Sequence, residues 1–200
     1  MENIIVVDVE TTGLNTQKDE IIELGSLKVD LNTGRLIDTF SKFANPRRLL
    51  SEKIIEITNI TDDMLKDANS SYDVVKEWHN WIGEDPVILV CHNAKFDINF
   101  IVSYLKSENI PYLNHKIVDT LLWSRNVLKS ESYKLEYLAE QLNLKDGLSS
   151  HRAKDDCMAT MRLLVYLTRQ EGATNSKDVY DLLCKKSKNL IDILERLNLK

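Results

Sequence analysis

Two acidic residues, Asp8 and Glu10, lie two positions apart at the end of an apolar segment near the start of the chain. Residues two apart in a strand project to the same face, so both carboxylates would share one side of a sheet. Such a pair loses hydration and suffers like-charge repulsion unless a cation lies between the two groups. The pair therefore indicates a divalent-cation site, although so short a pattern more often marks two exposed charges.

A third carboxylate, Asp97, ends the segment HNAKFD at residues 92–97. A helix that begins in this segment places Asp97 on one face with Phe100 and Ile101, and that apolar face packs inward. A carboxylate in a first turn also interacts favourably with the helix dipole, so Asp97 alone has a simple structural explanation.

The segment HRAKDD at residues 151–156 supplies a fourth carboxylate and a histidine. In a helix that starts here, Asp156 falls on the apolar stripe and Asp155 on the polar side. Asp156 is therefore the predicted metal ligand, and Asp155 is its solvated neighbour. His151 precedes the helix, where a loop can carry it over the same site, although a lone histidine is more often a surface or capping residue.

The hydrophobic pattern predicts the elements that hold these residues. Strands are predicted at 4–9, 21–29, 36–43, 87–91 and 116–119, and helices at 72–82, 96–106, 133–142, 153–169 and 179–197. The segment 49–65 is predicted to be a loop with a short helix that starts near Thr61. Residues 4–9 are apolar on both faces, which is typical of a central strand. The chain is thus predicted to be mixed α/β, without a second domain.

The composition is that of one globular domain. The chain has 200 residues, of which 43% are hydrophobic and 28% are charged, and this balance excludes a disordered or membrane protein. No apolar run approaches the roughly 18 residues of a spanning helix, and the first residues do not resemble a secretory signal. A cytoplasmic protein without membrane contact is therefore expected. The three well-separated cysteines indicate neither a disulfide framework nor a thiolate zinc site.

The net charge of −5 argues against a protein that binds nucleic acid through a broadly basic surface. The count includes the four candidate metal ligands, however, and two bound divalent cations would bring the protein close to neutrality. The acidity is therefore compatible with a nucleic-acid substrate.

Together, the three acidic segments resemble the exonuclease motifs of the DnaQ-like family in its DEDDh form. The segment DVETTGL at residues 8–14 is similar to the first motif, HNAKFD to the second, and HRAKDD to the third in the form HxAxxD. The similarity spans about residues 3–168 and departs from the family at Asn59, where many relatives have glycine. The resemblance implies an RNase H-like α/β fold, with a five-stranded mixed sheet, an antiparallel first hairpin and flanking helices.

The resemblance also divides the chain into a DEDDh exonuclease domain at residues 1–170 and a C-terminal helical extension of the same domain at residues 171–200. The apolar positions of this extension predict a helix that docks back onto the domain or onto a partner.

By the same resemblance, two Mg²⁺ or Mn²⁺ ions, which suit all-oxygen ligation, would be held by Asp8, Glu10, Asp97 and Asp156. His151 would be the general base that takes a proton from the attacking water, since an imidazole exchanges a proton near neutral pH. The implied contacts to the terminal nucleotide are Thr11, Thr12, Gly13, Leu14, Ile57, Thr58, Asn93 and Phe96. Asp119 matches a further family segment and is assigned a supporting or structural role.

The implied activity removes nucleotides from the 3′ end of single-stranded or frayed DNA and releases 5′-mononucleotides, as in the proofreading exonucleases of bacterial DNA polymerase III. A DNA polymerase is then a candidate partner. An enzyme that trims RNA 3′ ends, similar to RNase T, is the alternative within this class. A non-catalytic nucleic-acid-binding subunit is disfavoured by the complete set of residues, and an RNase H-like endonuclease is disfavoured by His151.

Overall fold

The computed structural model describes residues 3–107, 110, 115–148 and 151–190 of the chain. In these ranges the strands are β1 (Asn3–Thr11), β2 (Ile21–Asp30), β3 (Leu36–Phe43), β4 (Ile88–Cys91), β5 (Lys116–Asp119) and β6 (Lys188–Asn189). The helices are α1 (Glu52–Thr58), α2 (Asp62–Leu65), α3 (Ser71–Ile82), α4 (Ala94–Ser107), α5 (Thr120–Val127), α6 (Leu135–Gln141), α7 (Ala153–Gln170) and α8 (Ser176–Lys186).

The strands form one mixed sheet with the order β3-β2-β1-β4-β5-β6. β1 lies inside the sheet, antiparallel to β2 and parallel to β4. β2 turns into β3 through a loop in which the N–H of Gly34 donates to the carbonyl of Asp30 at 2.8 Å. Ile4, Ile5 and Val6 are all fully buried, because helices cover both faces of this strand. The predicted central strand is thus confirmed.

Each face of the sheet carries its own hydrophobic core. Val7 and Val9 point to the face that α3 and α4 cover. Val6 points to the opposite face, where α5, α6, α7 and α8 pack. Asp8 and Glu10 continue the row of Val6, since side chains alternate along a strand. Both carboxylates therefore lie on the α7 side, at the carboxyl end of β1.

The α/β fold class is confirmed, but within the described residues the sheet has six strands where the sequence predicts five. The predicted helix 179–197 ends at Lys186, and the next residues turn back to pair as β6 with β5. Residues 191–200 of that predicted helix lie outside the described residues. α8 itself buries Leu183 in the core on the α7 face, so it docks back onto the domain.

Two short helices are absent from the sequence prediction. α1 occupies part of the predicted loop 49–65 and begins after Ser51, whose hydroxyl accepts the N–H of Ile54 at 3.4 Å. α5 follows β5 directly and begins after Asp119. Each spans about two turns, too few for hydrophobic periodicity to distinguish a helix from a loop. Among all the helices that the structure describes, none has the length and apolar character needed to cross a membrane.

Candidate active site

The carboxyl end of β1 carries two of the predicted ligands, Asp8 and Glu10. The pairing of β1 with β4 ends at Val6, whereas its pairing with β2 continues and places Asp8 opposite Gly25 and Glu10 opposite Glu23. One strand thus extends beyond its parallel neighbour. This leaves an edge where side chains from a loop or from the start of a helix can approach both carboxylates.

Asp97 reaches this edge from the first turn of α4. Its side chain is 2% exposed, and its Oδ1 accepts the N–H of Val9 at 3.2 Å. Because Val9 lies between Asp8 and Glu10 in the chain, this bond holds Asp97 beside the end of β1. Phe100 is buried on the same face of α4, which confirms the predicted inward orientation of that face.

Asp119 anchors the loop that precedes Asp97. Its Oδ1 accepts the N–H of Asn93 at 3.3 Å, and its Oδ2 accepts the N–H of Ala94 at 3.1 Å. Asn93 has a left-handed φ of 77°, a conformation that asparagine adopts more readily than most residues. Asp119 therefore has the supporting role that the sequence predicts.

His151 and Asp156 join Glu10 in one cluster. One potential ligand atom from each of these three side chains lies within 4.8 Å of the other two. His151 has a left-handed φ of 61°, and its N–H donates to Oδ2 of Asp156 at 3.1 Å. Its Nε2 lies 3.6 Å from Oε2 of Glu136. The structure thus brings Asp156 to Glu10, as the helical pattern predicts, and this cluster does not include Asp155.

The four predicted ligands share one electrostatic environment. Burial, and then the nearby carboxylates with Asp97 first, raises the pKa of Asp8 well above its usual range. Burial and the charge of Asp156 raise the pKa of Glu10 to about 8. Burial also raises the pKa of Asp156 to about 6, and it raises that of Asp97 well above the usual range. Without a cation, Asp8, Glu10 and Asp97 hold protons at neutral pH that ordinary carboxylates release, and Asp156 keeps its proton to a higher pH than usual.

Glu23 and Arg152 support this site, and sequence reasoning missed both. Glu23 is 1% exposed, and its two carboxylate oxygens accept from Nε and Nη2 of Arg152, each at 3.3 Å. Oε2 of Glu23 also accepts the N–H of Ala153, at the start of α7, at 3.2 Å. This carboxylate therefore ties α7 to β2 directly opposite Glu10. Only the register of β1 against β2 reveals the role, since nothing in the local sequence marks Glu23.

Gly25 allows α7 to approach the sheet closely. A Cβ at this position would lie 2.5 Å from the carbonyl carbon of Ala153 and 2.7 Å from the backbone nitrogen of Lys154. The Sγ of Cys157 lies 3.3 Å from the carbonyl oxygen of Gly25. This contact brings the first turn of α7, and with it Asp156, to the end of β1.

The loop between β1 and β2 closes around Asp19. Oδ1 of Asp19 accepts the hydroxyl of Thr12 at 3.3 Å and pairs with Arg48 at 3.1 Å. A Cβ at Gly13 would lie 2.6 Å from the carboxyl carbon of Asp19, so a larger residue would have to displace this carboxylate. The side chain of Leu14, by contrast, is 85% exposed. The loop that follows Glu10 thus exposes an apolar side chain to solvent.

Two of the predicted substrate residues use their hydroxyl groups within the protein. Thr11 is buried and donates to the carbonyl of Gly13 at 2.6 Å. Thr58 is buried and donates to the carbonyl of Ile54 at 2.8 Å. Their hydroxyls shape the two loops, and the 43% exposed side chain of Ile57 is more accessible to a ligand.

Asn59 retains the backbone shape that glycine favours at this position. It ends α1 with a left-handed φ of 54°, and its N–H donates to the carbonyl of Ile55 at 2.8 Å. Asparagine is the residue that most often replaces glycine in such a helix-ending conformation. The departure from the family pattern therefore leaves this turn intact.

The segment HNAKFD contributes an exposed Asn93 and a half-buried Phe96. The ring centroid of Phe96 lies 5.1 Å from that of Phe100, so one edge of the Phe96 ring is anchored in the core. His92 has a structural role: its Nε2 donates to the carbonyl of Tyr133 at 2.8 Å. Burial lowers the pKa of His92, which favours the neutral ring at physiological pH.

The donor set fits divalent cations that prefer oxygen ligands. Burial is the first cause that raises the pKa of Glu10 and of Asp156, so the ionised form of each is disfavoured. A cation bound among them would supply the compensation that protons supply in its absence.

Comparison with known sequences gives two findings. A family model described as exonuclease (RNase T) matches residues 5–164. The chain is 42% identical over 170 residues to the PolC-type DNA polymerase III of Bacillus subtilis (strain 168), a match that covers 84% of this chain. It spans 12% of the length of that polymerase.

Comparison with solved structures gives the same fold. Exonuclease X in complex with 5′ overhanging duplex DNA is 26% identical, with a TM-score of 0.66, over 90% of this chain and 99% of the other. The nuclease domain of 3′hExo, a DEDDh family member bound to rAMP, is 22% identical with a TM-score of 0.71, over 86% of this chain and 93% of the other. At that lower identity, the likeness shows the RNase H-like fold alone.

Proposed function

This chain belongs to the exonuclease family, and from that premise we propose that it removes nucleotides one at a time from the 3′ end of DNA and releases 5′-mononucleotides. The observation that carries the proposal is the cluster of Glu10, His151 and Asp156 within 4.8 Å, beside Asp8 and the buried Asp97. These are the residue types that hydrolysis of a phosphodiester requires: carboxylates to hold cations, and a base to accept a proton.

The family generally uses divalent metal ions. We assign Mg²⁺ or Mn²⁺, two per site, to Asp8, Glu10, Asp97 and Asp156. When bound, such ions neutralise the phosphate and activate water. Asp97 is oriented for this role by the N–H of Val9, and Asp156 is oriented by the N–H of His151.

His151 is the proposed general base. Its ring is 42% exposed at the site, so it can exchange its proton with solvent after each turnover. Nε2 faces Glu136 at 3.6 Å, and this carboxylate would stabilise the imidazolium that forms when the ring accepts a proton. The left-handed backbone of His151 is the kind of strained conformation that often occurs at functional sites.

The terminal nucleotide would lie between two loops. Leu14 and Ile57 are exposed apolar side chains on these loops, and each offers a surface for the base. Phe96 would contact the sugar, and Asn93 would contact the substrate backbone. Thr12 and Gly13 would act by closing the first loop around Asp19.

DNA is the favoured substrate because the sequence relatives are DNA polymerases and because the Exonuclease X structure contains DNA. A polymerase partner is part of the same proposal. We further propose that residues 1–170 form the nuclease domain and residues 171–200 an extension of it. The pairing of β6 with β5 supports this division, since the extension completes the sheet of the same domain.

The test is digestion of matched single-stranded DNA and RNA, labelled at the 5′ end, with Mg²⁺ and with Mn²⁺. The proposal predicts a descending ladder on DNA that requires the metal, with slower cleavage of RNA. A faster ladder on RNA would replace DNA with RNA as the substrate, and no cleavage of either strand would contradict the proposed function.

A further inference from the structure

A cavity of about 490 Å³ lies beside the predicted site, between the start of α4, the end of β5, α5 and the C-terminal extension. The described residues that line it are Ala94, Lys95, Ile117, Asp119, Leu122, Trp123, Arg125, Asn126, Lys186 and Lys188. Four of these side chains are cationic, in a protein whose net charge is −5. A concentration of positive charge against that background marks a site for an anion.

The acidic group in this lining has little capacity left to pair with the cations. Asp119 already accepts four backbone N–H groups, which come from Asn93, Ala94, Leu121 and Leu122. Among the residues that the structure describes, Lys95, Arg125 and Lys188 are exposed and take part in no salt bridge. Their charges are therefore available to a ligand.

Lys186 is fixed at one wall of the cavity. It pairs with Glu171, and its Nζ lies 5.2 Å from the ring centroid of Trp123. Lys186 and Lys188 both lie beyond the family match, which ends at residue 164. The C-terminal extension therefore contributes two of the four cations that line the cavity.

The cavity begins at Ala94, the residue that follows Asn93 in the chain. Arg125 also lines a neighbouring cavity whose walls include His92, Asn93 and Lys134. We assign Asn93 to a contact with the substrate backbone. Asp119 accepts the N–H of Asn93 and also lines the cationic cavity. A strand whose backbone contacts Asn93 would lie close to Lys95, two residues along the chain, and to Arg125, which lines both cavities.

We propose that this cationic cavity binds the phosphates of the single DNA strand on the 5′ side of the scissile bond. The inference rests on the proposed function and deepens it, because it gives the C-terminal extension a role in holding the strand. Phosphate contacts position a strand without reading its sequence, so the cavity would lower KM for long substrates of any sequence and leave the chemical step unchanged.

The test compares the triple variant Lys95→Gln, Arg125→Gln and Lys188→Gln with a control triple variant, Lys66→Gln, Lys76→Gln and Lys177→Gln. The control removes the same charge at exposed positions outside the two cavities described above. Each enzyme is assayed on a DNA 12-mer and on a dinucleotide without a terminal phosphate, which has no phosphate on the 5′ side of its single phosphodiester bond. Binding of a labelled 12-mer is also measured by anisotropy in EDTA, as a function of salt.

For the cavity variant, KM for the 12-mer should rise about tenfold, and the salt dependence of strand binding should flatten by about two in log–log slope, as for three lost phosphate contacts. Hydrolysis of the dinucleotide should match wild type. If the cavity variant had the affinity and salt slope of the control, the proposal would be overturned. The cations would then bind an anion other than the DNA strand. Failure of the proposed function is distinguishable, since wild type would then hydrolyse neither substrate while the binding measurement still reports on the cavity.

Discussion

Gly25 and Ala153 lie so close that a single methyl group cannot fit between them: a Cβ at Gly25 would be 2.5 Å from the carbonyl carbon of Ala153. Gly25 lies opposite Asp8 on β2, and Ala153 begins the helix that carries Asp156. The distance between β2 and α7 therefore sets the distance between the predicted metal ligands Asp8 and Asp156.

We expect Gly25→Ala to displace α7 and to lower both stability and activity. Overpacking of this kind typically costs about 1–3 kcal/mol, and a small displacement of catalytic groups can lower kcat about a hundredfold. Urea unfolding and steady-state kinetics measure the two effects.

The matched control is Gly172→Ala. Gly172 has a φ of 88° with no atom within 4 Å of an added Cβ, so the substitution introduces backbone strain of about 1–2 kcal/mol without a clash. Wild-type kcat is expected for this control. Wild-type activity in Gly25→Ala would show that the close contact does not position the site.

The choice between the adjacent acids Asp155 and Asp156 is tested by removing each charge separately. Asp156→Asn should abolish most activity, because Asp156 joins Glu10 and His151 in the cluster, and the increase in Tm on adding Mg²⁺ should shrink. Asp155→Asn should retain both. The reverse result, with Asp155→Asn inactive, would mean that the helical-face argument assigns the wrong carboxylate.

His151→Ala should lower kcat by about two to four orders of magnitude, the range for loss of a general base. A ring nitrogen of His151 lies within 4.8 Å of a carboxylate oxygen of Glu10 and of Asp156, so His151 could itself be a metal ligand. A Mg²⁺ titration must therefore accompany the kinetics. Unchanged metal affinity with low kcat indicates a base, whereas a loss of metal affinity would indicate a ligand. Glu136→Gln should have a smaller effect, since it removes only the partner of the ring.

Stability of the metal-free protein should fall as pH rises. Glu10 has its pKa raised from 4.5 to about 8, and Asp156 from 3.8 to about 6, so in this window the folded state holds protons that the unfolded chain has released. The unfolded state binds fewer protons there, and the free energy of unfolding therefore decreases with pH.

This pH dependence is measured by urea unfolding in EDTA at about pH 5 and about pH 8.5. This range covers the titration of Asp156 and of Glu10 in the folded state. Mg²⁺ should stabilise the protein more at the higher pH, because it then binds carboxylates that are already ionised. In EDTA, Glu10→Gln should reduce the decrease in the free energy of unfolding with rising pH. A metal-free protein that gains stability across this range would contradict the electrostatic description of the site.

The sequence predicts the parts of the site that depend on local pattern. Alternation along a strand places Asp8 and Glu10 on one face, and helical spacing places Asp97 inward and Asp156 on the apolar stripe of α7. Each of these inferences needs only a few neighbouring residues, which is why it succeeds without tertiary information.

The remaining features depend on contacts between distant segments. The role of Glu23 follows from its register opposite Glu10 and from Arg152, which lies far away in the chain. The sixth strand is a two-residue pairing of Lys188 and Asn189 with the edge of β5. Local hydrophobic periodicity does not indicate contacts between distant segments. The sequence alone therefore predicts neither the role of Glu23 nor the sixth strand.

The central claim is attack at a free 3′ end by this carboxylate site. Its most direct test uses one DNA sequence as a 5′-labelled linear strand, as the same strand with a 3′ phosphate, and as a closed single-stranded circle, with Asp156→Asn as the inactive control. The account predicts that the linear strand shortens as a ladder and releases 5′-mononucleotides, while the blocked strand and the circle survive. Cleavage of the circle by wild type, but not by Asp156→Asn, would show an endonuclease and would contradict the account.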